Sequence, residues 1–252
     1  MADSKPIAEA LIENQMHSIR QFWGTQLAAA VATSSIPEAL LAAIVGNESG
    51  GHASPRFEPA IYHRLADVAG GLSAAFSPPG IRRPLTAAWL LAYASPGELD
   101  GAERVAEMDC TPFPPSTPGA PARGLQWGLK RLRELATSYG LTQVMGWHLL
   151  EMAGLAGWKF TIADLSAPAA NLKAAVLLLS YFGDRYQLDL EKEFPDLLRC
   201  WNTGQPTGTT FDPEYVTNGL ARMAAYAAAA PTSGTGTGAL PAPPLPPASP
   251  SA

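Results

Sequence analysis

Glu48 falls four residues after Ile44 and seven after Leu41, a spacing that sets its carboxylate on the helical stripe whose apolar side chains must face a core. Ser35-Ile36-Pro37-Glu38 reads as a capping box with proline in the first turn, and Gly50-Gly51 closes the helix it opens. Glu48 is therefore in the last turn, where the negative end of the helix dipole disfavours a further negative charge. Burial and the dipole both push the carboxyl pKa upward, and an acid kept protonated near neutral pH can give its proton to a leaving group. The alternative is an ordinary solvated glutamate at a helix end.

Other chemistries find less support. His17, His52, His63 and His148 have no metal-ligand spacing, and there is no His-Glu-x-x-His. Of the four, His63 is placed nearest the chemistry by its sequence neighbours, and the others read as surface or core. Cys110 and Cys200 are too few for a disulfide scaffold or a metal cluster and read most simply as two free thiols. Cys200 adjoins Trp201-Asn202 but has no neighbouring base, so a small buried hydrophobe is the expectation. Seventeen Lys plus Arg against 22 Asp plus Glu leave a net charge of -5, which offers no field to draw in a phosphate backbone.

The elements that must position Glu48 are helical. Apolar residues recur at three- and four-residue spacings, with no clear period-two run. Ile7 to Leu27 predicts a long first helix; later helices run through Leu125 to Leu135, Leu172 to Phe182 and Phe194 to Trp201, and a last one opens at Asp212-Pro213 and continues to Met223. Thr111 to Pro121 contains five prolines and predicts an irregular loop. From Pro231 to Ala252 the chain has no charged residue and is built of Pro, Ala, Ser, Gly and Thr with two leucines. Such a segment cannot bury enough surface to offset its ordering entropy, so a disordered tail is expected at 231–252 after one domain at 1–230. The glycines of Gly234-Thr235-Gly236-Thr237-Gly238 follow no strand and open no helix, so they do not make a phosphate loop.

Three segments in order carry a family likeness: Glu48-Ser49-Gly50-Gly51 after an Ala/Leu/Ile helix, Ser138-Tyr139-Gly140-Leu141-Thr142-Gln143-Val144-Met145-Gly146, and Trp201-Asn202-Thr203-Gly204. Together they resemble the lytic transglycosylases and the wider lysozyme-like superfamily. Asn171-Leu172-Lys173-Ala174-Ala175 and Asp212-Pro213-Glu214-Tyr215-Val216 resemble that family's flanking helices. The likeness covers roughly Ile36 to Pro59 and Ser138 to Tyr226. Arg56-Phe57-Glu58-Pro59-Ala60-Ile61-Tyr62-His63-Arg64, at the start of the roughly 90 residues that separate the Glu48 and Gln143 motifs, resembles instead the phage-type N-acetylmuramidases. Trp201 stands where the transglycosylases usually have Tyr, and Thr142 where they usually have Met.

The resemblance implies an all-α, mainly helical lysozyme-like domain with a long insertion, residues 52–137, after the helix that carries the acid. It implies that Glu48, paired with Ser49, is the catalytic acid, that Gln143 and Met145 line a sugar cleft, that Asn202 packs behind the glutamate or orients substrate, and that the Tyr215 hydroxyl points at Glu48. Without the resemblance, Tyr215 is a core aromatic. Glu58 stays open between a second carboxylate that activates water for hydrolysis and a salt bridge with Arg56 or Arg64. Trp89, Tyr93, Trp127, Trp147 and Trp158 can stack on sugar rings, although most must be core.

The implied activity is cleavage of the β-1,4 bond between N-acetylmuramic acid and N-acetylglucosamine in peptidoglycan, by a lytic transglycosylase with Glu48 alone or by a muramidase with Glu48 and Glu58. Neither route needs a metal or an organic cofactor. The expected partner is a peptidoglycan glycan strand bound by a monomer, with no nucleic acid and no membrane insertion. No secretory signal is visible, so the reading is a protein made in the cytoplasm that reaches the wall by phage-type release or specialised export. The rivals are a catalytically silent glycan-binding protein of the same fold and a plain helical interaction domain.

Overall fold

The computed structural model describes residues 7–94 and 130–229. Cys110, Trp127, the five-proline stretch, the first part of the Leu125 to Leu135 helix and the 231–252 tail lie outside them. Helices α1 (Ile7–Val31) and α2 (Glu38–Glu48) are followed by strand β1 (Arg56–Phe57), helix α3 (Pro59–Ala69), strands β2 (Ala75–Phe76) and β3 (Leu85–Thr86), and helix α4 (Ala87–Ala94). After helical residues 130–135 come β4 (Thr137–Tyr139) and β5 (Val144–Met145), then α5 (His148–Glu151), α6 (Ile162–Ser166), α7 (Pro168–Tyr186), α8 (Phe194–Thr203) and α9 (Tyr215–Ala228). The described chain is thus predominantly helical. Its strands are two or three residues long, too short to leave a period-two signature in the sequence.

α2 is the axis of the larger core. Seven consecutive residues, Leu40 to Gly46, are buried, so the helix is enclosed on every side rather than striped. Around it pack Met16, Ile19 and Leu27 of α1, Leu172 and Leu179 of α7, Leu197 and Leu198 of α8, and Tyr215 and Tyr226 of α9. Glu48 therefore reaches solvent because the helix ends there and not because it faces outward. The expected capping box does not form: the helix starts at Glu38 with Pro37 as its N-cap and no side-chain cap. The Glu38 carboxylate accepts instead a hydrogen bond from the Tyr226 hydroxyl, which takes it away from the backbone. Asp212 does serve the last helix, accepting the Glu214 N–H at 2.9 Å, although regular α9 begins at Tyr215.

The described residues between α2 and β4 build a second lobe. Leu65 and Val68 of α3, Phe76, Ile81, Leu85 and Leu90 pack with Leu132, Leu135 and Trp147 in a core of their own. It is tied to the first lobe by an antiparallel three-stranded sheet in the order β1-β4-β5, with Arg56 opposite Ser138 and Ser138 opposite Met145. The β4–β5 hairpin is the segment that the sequence marks as Ser138 to Gly146. β2 and β3 form a separate two-stranded ladder.

Candidate functional site

A cleft of about 340 Å³ opens where the two lobes meet. Its wall takes Glu48 from the end of α2, Arg56 and Glu58 from the β1 edge, Gln143 and Met145 from the hairpin, and Trp201 and Asn202 from the end of α8. Pro79 and Gly80 cross over from the insertion to close against α8. At that crossing the backbones touch: a Cβ on Gly80 would lie 2.0 Å from the Gly204 carbonyl oxygen, and a Cβ on Gly204 would lie 2.1 Å from that of Pro79. Only glycine fits at either position. The Tyr181 and Tyr186 hydroxyls donate to the carbonyls of Gly80 (3.2 Å) and Gly204 (2.7 Å), fixing the junction.

Glu48 is half-buried and its Oε1 accepts the Tyr215 hydroxyl at 2.5 Å. Burial drives its pKa above the ordinary carboxylate value; the Tyr215 hydrogen bond and the Arg56 charge oppose that, and the Glu58 charge adds to it. The Tyr215 phenol is itself pushed well above its usual value, chiefly by burial and then by Glu48, so it stays a donor. Behind this pair, Asn47 Nδ2 donates to the Tyr215 carbonyl at 3.0 Å while its Oδ1 accepts from Arg222 at 2.8 Å, and Arg222 Nε donates to Gln15 Oε1 at 2.8 Å. Helices α1, α2 and α9 are thereby pinned together next to the carboxyl.

Removing the Tyr215 hydroxyl tests this electrostatic balance. Tyr215→Phe deletes a hydrogen bond that favours ionised Glu48, so the Glu48 pKa rises further and the proton is held to higher pH. The alkaline limb of any Glu48-dependent activity is expected to move upward, and the rate to fall about 10- to 100-fold, the usual weight of a hydrogen bond to a charged group. A pH–rate profile with an unmoved alkaline limb would show that Tyr215 does not act on Glu48.

The expected site residues divide. Glu48, Glu58, Gln143, Met145 and Asn202 line one cleft. Ser49 and Tyr215 do not and act from behind it. Ser49 Oγ donates to the Leu141 carbonyl at 2.6 Å and accepts the Gly51 N–H at 3.2 Å, so it bolts the end of α2 to the hairpin turn. Gln143 faces the cleft with its side chain already committed: Nε2 donates to the carbonyls of Ser54 (2.9 Å) and Gly140 (2.8 Å), and Oε1 accepts from Ser138 at 2.7 Å. It shapes the wall rather than offering a free amide. Asn202 is exposed, and its amide is free to meet a ligand.

Glu58 is the single residue between β1 and α3 and caps α3 by position. Its Oε1 accepts Arg56 Nε at 2.6 Å, because residues two apart on a strand share a face. The salt bridge is formed, and it is formed on the cleft wall. Cys200 is a free, buried thiol whose pKa is raised to about 12 by burial, so it is an inert part of that wall. His63 is exposed on α3 and does not line the cleft, whereas His148 does, reversing the sequence expectation. Trp147 also lines it, while Trp158 is buried elsewhere against Phe160, and Trp89, exposed and outside the cleft, carries the Arg83 guanidinium over its ring.

Sequence reasoning passed over Asn171, which is fully buried and holds the hairpin from α7. Its Oδ1 accepts Thr142 N–H at 2.9 Å and Thr142 Oγ1 at 2.8 Å, and its Nδ2 donates to the Tyr139 carbonyl at 2.9 Å. A Cβ on Gly140, whose φ is +72°, would come within 2.3 Å of Asn171. Thr142 is thus held to α7 through both its backbone and its hydroxyl. Among the described residues no group of His, Cys, Asp and Glu is placed to hold a metal ion, and no helix is long and apolar enough to cross a membrane. Comparison with known protein families, curated proteins and solved structures finds no match to this chain.

Proposed function

We propose that this chain is a peptidoglycan glycosidase with a lysozyme-like fold, cleaving the β-1,4 bond between N-acetylmuramic acid and N-acetylglucosamine as a lytic transglycosylase. The observation that carries the reading is the Glu48 carboxyl: desolvated, raised in pKa, held by a buried tyrosine hydroxyl and opening onto a cleft of sugar-binding size. Glu48 gives its proton to the glycosidic oxygen as the bond from C1 breaks. The Tyr215 hydrogen bond stabilises the carboxylate that this step creates. The muramoyl 6-hydroxyl then attacks C1 and returns its proton to Glu48, leaving the anhydro product and the acid restored. The likeness of the three motifs supports the substrate, and the wall is the place of action after phage-type release or specialised export.

A hydrolytic route is the second reading, favoured by the presence of Glu58 on the same cleft wall. There Glu58 takes a proton from water as the water attacks C1. The 2.6 Å ion pair with Arg56 supports the first route, because it already occupies a carboxylate oxygen that would have to take the proton from water. Mass spectrometry of the released muropeptides distinguishes them. The expected product is lighter than the hydrolytic one by one water, and Glu58→Gln is expected to keep most of the activity. Products with a reducing N-acetylmuramic end, lost in Glu58→Gln, overturn the transglycosylase route. A wild-type chain that binds glycan but clears no cell-wall suspension is the silent glycan-binding protein.

A further inference from the structure

Glu151 is 1% exposed, and no other charged side chain among the described residues is buried so completely. An ionised carboxylate removed from water is costly unless both oxygens are engaged. Here they are: Oε2 accepts the Arg82 backbone N–H at 2.6 Å, and Oε1 meets His148 Nδ1 at 2.7 Å. His148 lines the cleft with Glu48. Its ring lies against Trp147 with centroids 3.8 Å apart, so one face and one nitrogen are fixed. In the neutral ring, a carboxylate at Nδ1 favours the tautomer with its proton on that nitrogen, so that Nε2 is the acceptor.

We infer that His148 is a glycan-binding residue of the cleft, its Nε2 accepting a hydrogen bond from a sugar hydroxyl or acetamido N–H, with Glu151 as the positioning residue behind it. The inference rests on the glycosidase reading for the identity of the ligand. The cleft's other polar groups explain why a further acceptor matters. Gln143 is committed to the protein, and Arg56 and Glu58 are committed to each other. Asn202 and His148 remain on opposite supports, α8 and α5, as polar side chains able to fix a neutral, hydroxyl-rich ligand. The buried Glu151 also ties α5 to the insertion through Arg82, whose guanidinium donates to the carbonyls of Glu151 (3.4 Å) and Ala153 (3.3 Å). The lobe that closes the cleft therefore sets the imidazole.

The test separates binding from chemistry. The N-acetylglucosamine tetramer is titrated by calorimetry into the Glu48→Gln chain with His148 intact, with His148→Phe and with His148→Gln; kcat and KM are measured for the His148 variants with Glu48 present. His148→Phe is expected to weaken binding and raise KM about tenfold, the effect of one neutral hydrogen bond, with kcat within about threefold. His148→Gln, which keeps an acceptor, should recover part of the loss. If His148→Phe misfolds because Glu151 is left unpaired, the double variant His148→Phe/Glu151→Leu removes both partners and makes the same comparison. Unchanged affinity and KM in a chain that still cleaves cell walls overturn the inference alone and leave His148 a brace. Collapse of kcat with unchanged affinity also overturns it, making His148 a proton acceptor. A wild-type chain that cleaves nothing, together with a Glu48→Gln chain that binds no tetramer, overturns the glycosidase reading and this inference with it.

Discussion

Glu48→Gln is expected to abolish clearing of purified cell walls while raising the melting temperature. The amide keeps the shape of the acid and still accepts the Tyr215 hydroxyl at Oε1, but it has no proton to give the leaving oxygen. Loss of a general acid removes a factor of about 100 to 10,000 in rate. The stability gain follows from the same burial. The folded-state pKa of Glu48 lies above its ordinary value of 4.5, so the folded chain holds this proton more tightly than the unfolded chain does. At neutral pH, where the unfolded chain carries the carboxylate, burying this group opposes folding, and the amide relieves that cost. As pH falls below the unfolded-state value both states carry the neutral acid and the difference closes. The measurement is paired: turbidity clearing, and thermal unfolding of wild type and variant from pH 7 to pH 4. Residual activity within a few-fold of wild type eliminates Glu48 as the acid. A melting temperature lowered at neutral pH would show that its carboxylate is stabilising and not strained.

Local pattern reveals the helices and the motifs, because capping residues, proline positions and apolar spacing act over a few residues. α1, α7 and α8 lie where the periodicity places them, and the Ser138 to Gly146 segment is a hairpin because Gly140 and Gln143 both take positive φ there. The capping box at Ser35 fails for a reason that local pattern does not contain. Glu38 is engaged by Tyr226, 188 residues away, and a charge-assisted bond to a phenol outcompetes one to the backbone. Glu58 shows the converse. Both readings of it are visible in the sequence, and only the extended backbone running from β1 through Glu58 decides that the ion pair forms on the cleft wall.

The rest of the site depends on contacts between distant segments. Pro79 and Gly80 reach Gly204 across the fold, and Gln15, Arg222 and Asn47 meet from three helices. Proline followed by glycine signals a turn but not what the turn touches. His148 has no motif of its own; its partner Glu151 is three residues on and looks like an ordinary helical ion pair until burial is known. Pro78 to Arg82, which carry no motif, supply part of one wall of the cleft and the backbone N–H that holds Glu151.

Asn171→Leu is expected to be the most destabilising single substitution near the site. Leucine nearly matches asparagine in shape, so no large cavity forms, and the cost comes from polar groups. Three hydrogen bonds vanish at once, two from Thr142 and one to the Tyr139 carbonyl, at a position with 0% exposure. Each buried group left without its partner costs about 1–3 kcal/mol, for a total of about 3–6 kcal/mol once shared relaxation is allowed for. At about 2–4 °C per kcal/mol for a domain of this size, the melting temperature should fall by roughly 6–24 °C. Activity should fall as well, because the hairpin that carries Gln143 and Met145 loses its anchor on α7. Ser49→Ala provides the scale: it removes one hydrogen bond to the same turn, at Leu141, and should cost only about 1 kcal/mol. Thr142→Val isolates the hydroxyl, and its effect combined with Asn171→Leu should be clearly less than the sum of the two, since both delete the same bond. A melting temperature within about 2 °C of wild type for Asn171→Leu would mean that water replaces the lost partners and that the hairpin is held from elsewhere.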